Sequence, residues 1–272
     1  MVRVTVSGSQ PHVASTQGAG QPVAAAQKRV SDVAGSWFAS GLVSVLTEAA
    51  PDVPQLVAAA ELVRDDPHAF GCWLKEATRD SRELKAMAAR SYWHSNGFAK
   101  LVLHTSVEPE FKIRMHVWPR SGASRRGEPN PHSHRWEFAS TVLAGRGVVV
   151  PEYREASEGG DLFGRYRYGT DPDAPEALVA DGSVRLVKVK SPRVFRGDVY
   201  SCGTDVIHTL EPLGTDLTAT LVIQGSHRES TTVVFRARGR SGEQPNRRLS
   251  EAEFRQIVAE VVTEVCGCSS PR

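Results

Sequence analysis

No apolar run in this chain of 272 residues approaches the roughly 18–20 residues that a bilayer-spanning helix needs, so no membrane partner is expected. The N-terminal run MVRVTVSGSQPHVASTQ has no continuous apolar segment of the kind a secretory signal carries. Cysteine is scarce: Cys72, Cys202, Cys266 and Cys268 are the full set. So few thiols fit a reduced state in the cytosol, and a cytoplasmic location is the expectation. Cys266-Gly-Cys268 lacks the second pair that a zinc knuckle requires. Charge of one sign is also missing: the net charge is +2 and the basic residues are scattered. With no helix-turn-helix pattern and no basic stretch, nucleic acid is not an expected partner.

What is present is enough apolar material, 40% of residues, for a sizeable core. Residues 1–28 are rich in Ser, Gly, Gln and Ala without periodicity and read as a mobile leader. Residues 29–95 read as a helical segment. Val33, Trp37, Phe38, Leu42, Val45 and Leu46 recur at helical spacing, and Val53–Val63 continues in a second helix. A third runs from Pro67 to about Arg90.

From Tyr92 the period falls to two. In Phe111–Trp118 the apolar Phe111, Ile113, Met115 and Val117 alternate with Lys112, Arg114, His116 and Trp118. Residues 119–131 read as a loop, where Arg125 and Arg126 are available to an anion. Short strands separated by Gly/Pro turns then continue to about residue 240. With no helices between them, they point to an antiparallel sandwich or barrel over residues 96–240. Residues 241–272 contain a capping box, Ser250–Glu253, and an amphipathic helix expected to pack outside the barrel.

Two stretches carry chemistry. NPHSHRWEF supplies His132 and His134, and Gly197-Asp198 leads to His208 ten residues after the Asp. On an extended strand, side chains two apart share a face. A barrel can bring His208 to the same point, and three imidazoles suit a divalent transition metal with open positions. Trp136 and Phe138 share the histidine face on a regular strand and form a candidate apolar wall. Cys202, six residues before His208, is a candidate neighbour of the metal or a small buried apolar residue.

The HxH pair followed by Gly145, together with Gly197-Asp198 through His208, resembles the two motifs of the cupin superfamily over about 100–240. The resemblance implies a mainly β fold: a cupin antiparallel β-barrel (jelly roll) with N-terminal helices and a C-terminal helix. The usual cupin carries a fourth ligand, a Glu, where this chain has Phe138 or Ala139. Glu137 lies one step early and reaches the metal only through a bulge. A three-histidine site resembles the thiol dioxygenase branch. That resemblance implies Fe(II), O2 and a small thiol amino acid such as cysteine, including a role in natural-product (sulfonamide-type) biosynthesis.

The family's carboxylate-binding Arg falls here on His94, and its relay is absent from the strand around Gln224. His94, Arg114, His116 and Gln224, with His227, are therefore candidates for substrate handling. A non-thiol cupin enzyme (isomerase, lyase or other dioxygenase) using Ni, Mn or Zn stays open. So do a non-catalytic metabolite-binding protein and a homodimer.

Overall fold

The structure, a computed structural model, describes residues 2–5, 41–47, 50–94, 97–120, 130–168, 178–237 and 246–267. Trp37, Phe38, Arg125, Arg126 and Cys268 lie outside these. Residues 41–47 are helical. Three helices follow: α1 (Val53–Asp65), α2 (Pro67–Ala77) and α3 (Ser81–Arg90). The single helix expected over 67–90 is in fact two. Thr78 closes α2, and the Asp80 carboxylate accepts the Arg82 and Glu83 amides to start α3 afresh. A capping side chain thus wins over continuous helical spacing.

The strands form three antiparallel sheets. The largest has eight strands: β1 (Arg3–Thr5), β11 (Val199–Cys202), β5 (Trp136–Ala144), β14 (Thr218–His227), β4 (Glu110–Trp118), β3 (Ala99–Val107), β2 (Tyr92–Trp93) and β16 (Arg247–Arg248), in that spatial order. A five-stranded sheet runs β12 (Ile207–His208), β7 (Glu152–Ala156), β9 (Leu178–Lys190), β8 (Asp161–Tyr168), β15 (Val233–Ala237). β6 (Gly147–Val149) joins β10 (Arg193–Phe195) to β13 (Glu211–Pro212). The result is the mainly β antiparallel barrel expected, with helices before it and α4 (Glu251–Cys266) after it.

Three boundaries change. Arg3–Thr5, read as leader, pairs with β11. Tyr92–Trp93 and Arg247–Arg248, assigned to the flanking helical segments, pair with each other at the far edge of the large sheet. β9 begins at Leu178 and pairs along its length with β7 and β8. Backbone groups at a sheet edge take a partner strand regardless of side-chain pattern.

Strand alternation gives the large sheet two cores. Ile113, Met115, Val117, Ala139, Leu143, Ala219, Leu221 and Ile223 face the helices and are buried with Leu56, Phe70, Leu84 and Phe254. Phe98, Trp118, Phe138, Val142, Tyr200, Cys202 and Val222 face the barrel interior. Lys112, Arg114 and His116 share the face of Trp118 on β4, so they too belong to the barrel side.

Two turns explain the motif glycines. Gly145, at φ 86°, turns β5 into β6, and a Cβ there would lie 2.6 Å from the Leu217 carbonyl oxygen. Gly197, at φ 87°, sits in the turn between β10 and β11. There the Asp198 carboxylate accepts the Phe195 amide at 2.8 Å.

α4 is fastened to the sheet edge through one carboxylate. Glu253 accepts from Arg247 at 2.7 Å, from the Ser250 amide at 2.9 Å and from Trp93 Nε1 at 3.3 Å. The Arg247 hydrogen bond and then the Ser250 amide pull its pKa from 4.5 down to about 2. A depressed carboxylate stabilises the fold above its unfolded value and loses that contribution as pH falls through its folded value. Solvent screening keeps the effect to about 1 kcal/mol. Glu253→Gln is therefore expected to lower the melting temperature by about 2–4 °C at neutral pH. The gap to the unaltered protein should close as pH falls from 4.5 towards 2, which thermal melts across that range would measure.

Candidate metal centre

The HxH pair does not sit on a regular strand. β5 starts only at Trp136, and His132 forms isolated bridges to His208 on one side and Val234 on the other. The His132 amide donates to the His208 carbonyl at 3.0 Å, and the His208 amide returns the bond at 3.0 Å. His132 therefore links β12 and β15, the two edges of the five-stranded sheet. The Ser133 amide adds a bond to the Val233 carbonyl at 3.0 Å. The short run is extended because it is hydrogen-bonded on both sides.

This pairing brings His132, His134 and His208 together, with one donor nitrogen from each within 4.8 Å of the others. His132 Nδ1 lies 3.0 Å from the Asn130 carbonyl, and His208 Nδ1 lies 3.4 Å from that of Val206. An Nδ1–H donated to a carbonyl leaves Nε2 as the coordinating nitrogen, the usual arrangement of a metal-ligating histidine. Burial pushes His208 down to about 3, and burial followed by the neighbouring His132 and His208 pushes His134 well below the ordinary histidine value. Both are held neutral, the form that binds metal. The donor set fits a divalent transition metal.

Glu137 does not join the cluster. Its carboxylate pairs with Arg228 at 3.6 Å on the outer side of β5, as the alternation of a regular strand dictates. No bulge redirects it, and its partner is Arg228 rather than the adjacent Arg135.

Trp136 and Phe138 flank His134, each with its ring centroid 5.3 Å away, one stacked and one edge-on. Phe138 also lies 6.0 Å from the His208 ring. Cys202 Sγ is 3.6 Å from His208 Nδ1. Burial drives this thiol far above its ordinary pKa, so it is a protonated wall residue rather than a thiolate. On the solvent side, a cleft of about 280 Å³ lined by Ser133, His134, Arg167, Asp205 and Thr231 leads to His134.

Behind the metal-ligating face the registers set polar side chains in rows. Gln224 lies opposite Phe138, which lies opposite Cys202. The next row holds Arg114, Val222, Ser140 and Tyr200. The third holds His116, Thr220 and Val142, with Lys100 opposite His116. Gln224 Oε1 and Nε2, Ser140 Oγ, Thr220 Oγ1, His116 Nε2 and Trp136 Nε1 are all buried without a hydrogen-bond partner among the described residues. An unsatisfied buried polar atom costs about 1–3 kcal/mol, so these rows make the barrel interior a candidate binding region.

Arg114 is 5% exposed, and its guanidinium lies 5.5 Å from the Trp136 ring centre. Burial, then Lys100, His132 and Arg114, press His94 down to about 3. His94 stacks on Phe98 at 4.7 Å, and Phe98 lies 4.7 Å from His116. Of the sequence candidates, Arg114, His116 and Gln224 share the interior, and His94 borders it through Phe98. His227 does not join them: at the end of β14 it pairs with Glu110 at 2.9 Å. Ser140, Thr220 and Lys100 were missed. Their signal was their parity with Phe138, Gln224 and Val102 on their own strands.

No family model matches the chain, and no curated protein matches it. Solved structures do. An oxalate oxidase in complex with the substrate analogue glycolate matches at 15% identity over 50% of this chain and 54% of that one, TM-score 0.30. The DMSP lyase DddQ from Ruegeria pomeroyi matches at 15% over 50% and 50%, TM-score 0.28. Procruciferin, an 11S globulin from Brassica napus, matches at 11% over 51% and 31%, TM-score 0.29. The chain spans about half the length of the first of these. Likeness of this extent carries no argument about activity.

His208→Ala is expected to remove one bound divalent ion per chain, and Glu137→Gln to remove none. Elemental analysis after gel filtration distinguishes them; equal loss in the two variants would contradict a site of three histidines.

Proposed function

We propose that this chain is a cupin metalloenzyme: a non-haem Fe(II)-dependent oxygenase that uses O2 to oxidise a small anionic substrate. A thiol amino acid such as cysteine is the substrate class favoured. The observation that carries the reading is the juxtaposition of three converging imidazoles with a buried, cation-bearing polar interior. Bound iron would supply a redox centre with positions open to a substrate atom and to O2.

The chain's own residues do the rest. His132 and His208 are oriented by the carbonyl contacts of their Nδ1 atoms, so that the donor nitrogens of the three histidines converge. Three neutral ligands leave the ion's positive charge uncompensated, which favours an anionic donor such as a thiolate. No carboxylate figures among the groups acting on His134; Arg114 and Lys100 both do. Arg114, buried beside Trp136, would take a substrate carboxylate as a charge-assisted hydrogen bond. Gln224 and Ser140, nearer the metal-ligating face and in the Arg114 row respectively, offer a donor–acceptor pair for an amine. Trp136, Phe138 and Cys202 line the approach with apolar surface and limit water. His94 and His116, held neutral by burial, serve as hydrogen-bonding groups rather than as cations.

The test is anaerobic iron loading followed by oxygen uptake with cysteine and related amino acids. Substrate-dependent uptake is expected, and its absence with every small thiol would sink the thiol reading. Arg114→Gln should raise KM for the acidic substrate by ~10–100-fold, the worth of one hydrogen bond to a charged group. A parallel loss with an uncharged ester of that substrate would show that Arg114 does not bind the carboxylate.

A further inference from the structure

A second cluster of metal-binding side chains lies in the helical layer, on the opposite side of the large sheet from the three histidines. His68 and Cys72 are one turn apart on α2, a spacing that places both on one face. Cys266 ends α4. One ligand atom from each of the three lies within 4.8 Å of the others. Cys72 Sγ is 3.7 Å from His68 Nδ1, and Cys266 Sγ is 4.0 Å from the His68 carbonyl oxygen.

The close approach of the two helices is built in. A Cβ at Gly71 would lie 2.6 Å from Cys266 Sγ and 3.5 Å from Val265 Cγ1, so a larger residue there would push the Cys266 thiol from its present position beside Cys72. The other helix ends carry Arg64, Lys75 and Arg90 in their last turns, whereas α4 carries no basic residue there. Arg196 donates to the Glu264 carbonyl at 3.4 Å, and a metal ion at Cys266 would add positive charge at the same helix end.

We propose that His68, Cys72 and Cys266 form a zinc site that clamps the end of α4 to α2. Two sulfurs and an imidazole are the soft-to-borderline donors that select Zn2+ over Mg2+ or Ca2+. On binding, both thiols release their protons, and two thiolates with a neutral imidazole balance the ion's double charge. Three ligands leave one tetrahedral position. Cys268 follows two residues later in the sequence and lies outside the described residues. Such a clamp joins positions near opposite ends of the barrel sequence and closes a long loop, where a cross-link restrains the unfolded chain most.

The site is separable from the barrel centre by its sulfur. Full-length protein prepared under reducing conditions and loaded with Co2+ is expected to show thiolate-to-metal absorption. That band should vanish in Cys72→Ser and Cys266→Ser and persist in His132→Ala. Zn2+ should protect Cys72 and Cys266 from alkylation while leaving the rate at Cys202 unchanged. The exposed His68→Ala, which removes nothing from the core, should weaken Zn2+ binding by at least ~10-fold. Equal alkylation of Cys72 and Cys266 with and without Zn2+, or a Co2+ band that survives loss of both thiols, would overturn the proposal. Neither result would bear on oxygen uptake at the barrel.

Discussion

Two backbone hydrogen bonds between His132 and His208 hold the centre of this molecule. They are ordinary main-chain bonds, but they join segments far apart in the chain. They also set two ligand-bearing residues directly opposite each other and tie the edges of the five-stranded sheet through one short run. Without them the run before β5 would be a loop, and His134 would have no fixed relation to His208. The metal centre is thus a product of sheet closure rather than of any single motif.

The large sheet supplies the second constraint. Its outer face is almost wholly aliphatic and is covered by the helices. Its inner face mixes aromatics with Arg114, His116, Ser140, Thr220 and Gln224. Burying that many polar groups costs stability unless something answers them, and the helical core provides the surplus. This separation of labour lets the barrel interior be chemically costly. The same alternation turns Glu137 outward to Arg228, away from the three histidines.

Much of this was legible from residue order. The period of two in Phe111–Trp118 assigned Arg114 and His116 to one face, and the fold buries Arg114 and half-buries His116 there. The Ser250–Glu253 capping box predicted the start of α4. The spacing of His132, His134 and His208 singled out three side chains that the fold brings together. Other features were not legible, because they depend on partners distant in sequence. Arg3–Thr5 has leader-like surroundings and becomes a strand only because β11 offers an unpaired edge. The helix expected over 67–90 breaks at a local cap that outweighs its apolar spacing. His227 lies on the interior strand β14, yet Glu110 from the neighbouring strand draws it away.

The sequence by itself determined the antiparallel β architecture and the grouping of three histidines as candidate metal ligands, because strand period and motif spacing are local properties. Only the tertiary structure decided which polar side chains share the interior with those ligands. Cross-strand register, not sequence distance, sets Gln224 beside Phe138 and Arg114 in the row of Ser140. The same is true of the cluster at the helix ends. His68 and Cys72 could be read as one helical face, but Cys266 joins them only because two helices far apart in the chain pack together there.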